Sequence, residues 1–176
     1  MFWRRLRDAL RPETVHAHCD IPCGIYDPHN AQVAAQSVLR MVDLIEELPR
    51  KEADETTKRQ LFGRYVKVKE DHAEMVKHEV RVLWGDYFTE EHLKEVPDLH
   101  DLVWDAMKKA SKARQTVDRK AAQDLIEATN KVAEAFWKTK GLETDTVKAP
   151  YPPARSFVAP RYEEAVEVGH GDGRAR

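Results

Sequence analysis

Only two cysteines occur in the 176 residues, and they stand four positions apart at Cys19 and Cys23. Joined to each other they would close a tiny loop, so no disulfide framework staples a chain of this size. Charge of one sign is equally scarce, with 29 basic residues against 31 acidic ones and a net charge of −2. That balance offers no broad basic field, so neither nucleic acid nor an anionic membrane surface is expected as a partner. No apolar run approaches the roughly 18–20 residues of a membrane span. The first seventeen residues also lack the continuous apolar core of ~7–15 residues that a secretory signal needs.

What is present is helical periodicity. With 41% hydrophobic residues the chain is large enough for one ordinary core. From Pro28 to Leu48, Ala34, Val38, Met41, Ile45 and Leu48 recur every three or four positions, and Pro49 ends the pattern. A long second helix is expected from about Thr56 to Trp84, with Leu61, Tyr65, Val68, His72, Met75, Val76, Val80 and Leu83 on one side and Gly85 as its stop. A short helical turn is expected after Thr89. Asp98 is expected to cap a third helix carrying Leu99, Leu102, Val103, Ala106, Ala110 and Ala113. A fourth runs from about Asp118 to Lys140, stopped by Gly141. With no convincing strand, the expected fold is all-α, an antiparallel up-and-down four-helix bundle. After residue 141, Pro150, Pro152, Pro153 and Pro160 forbid a regular helix, so 142–176 reads as an extended or disordered tail.

The stretch richest in chemistry is His18-Cys19-Asp20-Ile21-Pro22-Cys23-Gly24-Ile25-Tyr26-Asp27-Pro28. Thiol and imidazole are ligands for softer first-row transition metals. Pro22 and Gly24 bracket Cys23 and suit a sharp bend. Asp27-Pro28 has the form of a helix cap followed by a first-turn proline. By these residues alone, a structural role for the cysteines, free or disulfide-bonded, is favoured over metal ligation.

This stretch closely resembles the N-terminal hook of the nickel superoxide dismutases, whose mature chains begin His-Cys-Asp-x-Pro-Cys-Gly-x-Tyr-Asp-Pro. Every specified position is matched, and looser similarity continues through 82–88 and 136–140, so the resemblance covers about 18–140. It implies disproportionation of superoxide into dioxygen and hydrogen peroxide by Ni(II)/Ni(III) cycling, with one nickel ion per subunit. The implied ligands are the α-amine and imidazole of His18, the backbone nitrogen and thiolate of Cys19, and the thiolate of Cys23. Electron-rich thiolates and an amide make the higher nickel state reachable, which carboxylates or imidazoles alone would not. Tyr26 matches a tyrosine over the open face of the metal, and Asp20 a residue that helps hold the hook.

An amine ligand requires a free N-terminus at His18, so residues 1–17 are expected to be a leader removed by a dedicated peptidase, followed by the hook and bundle over 18–141. The leader carries four arginines against Asp8 and Glu13. The resemblance further implies a homohexamer with each hook packed between subunits, and a cytoplasmic location. There is one departure. The glutamate and arginine that usually brace the axial histidine correspond here to Ala34 and His72; on its apolar stripe His72 reads first as a satisfied core or interface histidine, with a substitute contact to His18 as the alternative.

The alternatives are a non-catalytic helical metal-binding or metal-delivery protein, and a thiol–disulfide switch on a helical body. Neither needs a cut before His18. Among other residues, Trp84, Trp104 and Trp137 are expected as core or interface anchors. His29, His78, His92 and His100 are expected to face solvent.

Overall fold

The computed structural model describes residues 24–162. Helix α1 spans His29–Glu47, α2 Glu55–Val82, the short α3 Glu90–Glu95, α4 Leu99–Gln115 and α5 Arg119–Thr139. Two strands follow, β1 at Thr144–Lys148 and β2 at Ser156–Pro160. The chain is therefore mostly helical with a small sheet, not all-α.

The ends of these helices show which local signals were decisive. The carboxylate of Asp27 accepts the His29 N–H at 2.6 Å, and the Pro28 carbonyl takes the first turn's N–H from Gln32. Asp54 caps α2 by accepting the Thr57 N–H at 2.9 Å, and Asp118 caps α5 by accepting from Lys120 and Ala121. Asp98 does not cap α4 with its side chain as expected; only its carbonyl is used, by Leu102. Gly141 stops α5 as its sequence position suggests. Its φ is +71°, the Leu142 N–H reaches the Trp137 carbonyl, and the Gly141 N–H reaches that of Lys138.

Gly85 behaves differently from the expectation. Helix α2 does not stop there but widens into a π-turn over Leu83–Tyr87, closed by the Phe88 N–H on the Leu83 carbonyl at 3.0 Å. The extra residue in that turn swings Tyr87 and Phe88 inward.

Each long helix packs on two others in a closed circuit: α1 on α2, α2 on α4, α4 on α5, and α5 back on α1. Ala31, Ala34, Ala35, Val38, Leu39 and Val42 of α1 meet Ala73, Val76 and Val80 of α2 in the main core, with Leu99, Val103, Leu125 and Ile126 opposite. Because α1 is covered on two sides, its buried face is broader than one stripe, and Met41 and Ile45 lie half-buried at the edge. Met75 of α2 is exposed. A second cluster gathers Leu83, Ala106, Ala128, Val132 and Phe136, with Tyr26, Tyr87, Phe88 and Trp137 packed onto it. That cluster lies at the end of the circuit where the chain enters from residue 24.

The segment after Gly141 contains order that its prolines concealed. Strands β1 and β2 pair antiparallel, Thr144 opposite Pro160 and Lys148 opposite Ser156. Polar side chains of the helices fasten the hairpin. Gln32 donates to the Val158 carbonyl at 3.2 Å and Gln36 to that of Arg155 at 3.1 Å, while Asn130 donates to that of Ser156 at 3.1 Å. Buried amides that satisfy strand carbonyls fix position as well as contribute energy.

Candidate metal centre

His18, Cys19, Asp20 and Cys23 lie outside the described residues, as do 1–17 and 163–176. The described chain begins at Gly24, directly after Cys23. Gly24 has φ +72°, a conformation that an L side chain adopts only with strain. Three residues later Asp27 opens α1. Between them, Tyr26 is half-buried and lays its ring against Tyr87, centroids 5.5 Å apart and planes inclined by 49°.

Tyr87 is the hub of this end of the molecule. Its ring also contacts Phe136 at 4.6 Å, stacks on His92 at 5.2 Å, and carries the Lys140 ammonium over its face at 4.7 Å. Its hydroxyl lies 2.9 Å from Thr139 Oγ1. Because the single Thr139 hydroxyl proton goes to the Phe136 carbonyl, Tyr87 is the donor to Thr139. Burial pushes the Tyr87 hydroxyl above its ordinary pKa, and the Glu95 charge pushes it the same way. Tyr87 therefore holds its proton while supporting Tyr26.

Sequence reasoning did not single out Tyr87, although it lies in the 82–88 block of looser similarity. The missing information was the π-turn, which decides where that ring goes. His92 was expected to face solvent, yet it is half-buried on Tyr87, and its Nδ1 accepts the Thr89 N–H at 3.2 Å in a capping box. Trp84 and Trp104 are exposed, so neither is a core anchor of this chain, and Trp84 donates to His100 Nδ1 at 3.0 Å. His29 is exposed, with its ring edge-on to Phe157 of β2.

Both brace positions lie among the described residues. Ala34 is fully enclosed in the core and offers no polar group. His72 is half-buried, and its Nδ1 lies 2.8 Å from the Val68 carbonyl. A carbonyl only accepts, so Nδ1 carries the proton, leaving Nε2 free to accept in the neutral ring. Among the described residues, no group of three His, Cys, Asp or Glu side chains could hold a metal ion. The donor set that suits nickel is the one the sequence places before Gly24.

A family model for nickel-containing superoxide dismutase matches residues 13–140. The chain belongs to the nickel-containing superoxide dismutase family. The nickel superoxide dismutase of Streptomyces coelicolor is 38% identical over 129 residues, covering 72% of this chain and 91% of the relative. That of Streptomyces seoulensis is 38% identical over 126 residues, with shares of 72% and 90%. A native nickel superoxide dismutase structure superposes with a TM-score of 0.60 at 36% identity, covering 70% of this chain and 99% of the other. A nickel-containing superoxide dismutase with oxidised-state nickel ligation gives 0.61 at 35% identity, with shares of 70% and 99%. The family match ends at residue 140, so the hairpin β1–β2 lies beyond it.

Proposed function

We propose that this chain is the subunit of a nickel-dependent superoxide dismutase, converting superoxide to dioxygen and hydrogen peroxide. The observation that carries the reading is the unbroken pattern from His18 to Pro28, handed by Gly24 onto the packed Tyr26–Tyr87 pair. We read the helical circuit as an antiparallel up-and-down four-helix bundle with the hook at its N-terminus.

Two thiolates, an imidazole and an α-amine form a donor set matched to nickel. The metal would be held by His18 through its amine and ring, by Cys19 through its backbone nitrogen and thiolate, and by Cys23 through its thiolate. When bound, nickel supplies reversible one-electron exchange with superoxide, giving dioxygen in one half-reaction and, with two protons, hydrogen peroxide in the other. The chain's own residues do the rest. Cys19 and Cys23 put electron density at the site, and Asp20 holds the hook by hydrogen bonding. The Tyr26 hydroxyl orients small anions or water, its ring kept in place by Tyr87. His72 Nε2 is free to accept the ring N–H of His18, which would replace the missing brace.

Residues 1–17 are read as a leader whose removal by a peptidase frees the His18 amine, the assembly as a homohexamer and the location as cytoplasmic. The deciding experiment joins mass spectrometry of the native N-terminus, nickel analysis and a superoxide assay on one sample. The expected result is a chain beginning at His18 with one nickel per subunit, and turnover lost in Cys23→Ala. Trimmed protein that holds nickel and does not consume superoxide would sink the enzymatic reading in favour of metal delivery. The role of His72 fails if His72→Ala leaves the nickel spectrum unchanged.

A further inference from the structure

Strand β1 is attached to the molecule along one edge only. The bonds that flank it set the alternation: the Arg161 N–H meets the Glu143 carbonyl at 3.0 Å, and the Ala149 N–H meets the Arg155 carbonyl at 3.1 Å. In this antiparallel register the backbone groups of Asp145 and Val147 turn towards β2, and those of Thr144, Thr146 and Lys148 turn away from it. The two outer edges of the hairpin are treated differently. That of β2 is closed by the helices, since Gln32 donates to the Val158 carbonyl and Gln36 and Asn130 to that of Ser156. That of β1 is open: among the described residues nothing bonds the outward N–H and C=O groups of Thr144, Thr146 and Lys148. Val147 beside them is 41% exposed. Edge strands are commonly blunted by proline, by a bulge or by a covering element. Here the prolines sit in the turn and in β2, while Thr144, Thr146 and Val147 are β-branched strand formers.

We propose that a second copy of this chain pairs with the open edge, β1 antiparallel to the partner's β1 about a two-fold axis at Thr146, joining two hairpins into one four-stranded sheet. The strand is self-complementary in that register. Thr146 meets the partner's Thr146 and Thr144 meets the partner's Lys148, so every outward N–H and C=O gains a counterpart. The acidic half of the strand, from Glu143 to Asp145, lies along the half that carries the partner's Lys148, and no charge stands opposite its like. A strand of unrelated sequence would use the same main-chain groups without matching this charge pattern. The hairpin lies beyond the family match, so the contact is additional to any that the helices make, and it does not depend on the nickel reading.

The test places p-benzoylphenylalanine at position 147 (Val147→p-benzoylphenylalanine) in the full chain, isolates the photo-crosslinked product at twice the chain mass and maps it by mass spectrometry. Attachment within 143–149 of a second copy is expected. Attachment to the helices of a second copy, attachment within one chain to 163–176, or no paired product overturns the proposal. In parallel, Thr146→Pro removes only an outward N–H, a place where an edge strand tolerates proline. The crosslink is expected to fall about tenfold in that background, while the inward Asp145 and Ala149 amides keep their slow hydrogen exchange. Thr144→Pro removes the next outward N–H and is expected to give the same loss; a crosslink that survives both changes undiminished overturns the proposal. In the parent chain the outward Thr146 and Lys148 amides should be as protected as the inward ones, and free exchange there is equally fatal.

Discussion

Lys69 buries its ammonium against the end of α4, 2.8 Å from the Ala113 carbonyl and 2.9 Å from that of Thr116. The residue is 2% exposed. A cation at a helix C-terminus meets the negative end of the dipole and satisfies carbonyls that the helix leaves open. This single side chain ties the middle of α2 to the turn between α4 and α5.

Replacing it removes the donor and leaves those acceptors enclosed. Lys69→Met is expected to destabilise the protein by about 1–3 kcal/mol in urea unfolding. Burial also lowers the Lys69 pKa below the ordinary 10.5, partly opposed by the Glu70 charge. The unfolded chain then binds more protons than the folded one just below pH 10.5, so this group's contribution to stability rises with pH there. The gap between the parent and Lys69→Met should widen in the parent's favour as pH approaches 10.5. A narrowing gap would contradict the assignment.

Tyr87 has the opposite sign. Its hydroxyl is held above the ordinary 10.0, so the folded state keeps a proton that the unfolded state has begun to lose. Its contribution is present below pH 10 and declines as pH rises towards the raised folded value. Tyr87→Phe is expected to cost about 0.5–1.5 kcal/mol near neutrality through the lost bond to Thr139, and to lose this alkaline decline. Unfolding measured at pH 7 and above pH 10 checks both parts.

Phe136 is fully buried beneath the Tyr87 ring. Phe136→Ala is expected to cost about 3–5 kcal/mol, because the lost apolar contact is compounded by a cavity. Tyr26 rests on Tyr87, so the same variant should loosen the Tyr26 ring, read as faster ring flipping by NMR. A variant that loses stability with Tyr26 unaffected would mean that the two rings are not mechanically linked.

Gly24 has open space around its Cβ position, so a methyl group there meets nothing. Its φ of +72° nonetheless makes Gly24→Ala unfavourable by about 1–2 kcal/mol in that conformation. The strain falls at the root of the hook, ahead of α1. Expected are weaker nickel retention and an unchanged thermal midpoint of the metal-free protein. A lowered midpoint with normal retention would place the turn's importance in the fold.

The sequence by itself determined the parts written in local chemistry. Asp27-Pro28 starts α1, Gly141 ends α5, and the spacing of alanine, valine and leucine sets four long helices, because each signal acts within one or two turns of its own residue. The donor set proposed at His18, Cys19 and Cys23 is likewise a contiguous pattern, and it lies outside the described residues. What only the tertiary structure decided depends on partners far along the chain. Gly85 reads as a stop, yet packing of Tyr87 and Phe88 on Phe136 makes a π-turn the better solution. Strand β1 is largely exposed and carries no apolar alternation, so its pairing with β2 shows only once Gln32, Gln36 and Asn130 are in place to receive the hairpin. Tyr87 became a site residue through the helix that turned it inward.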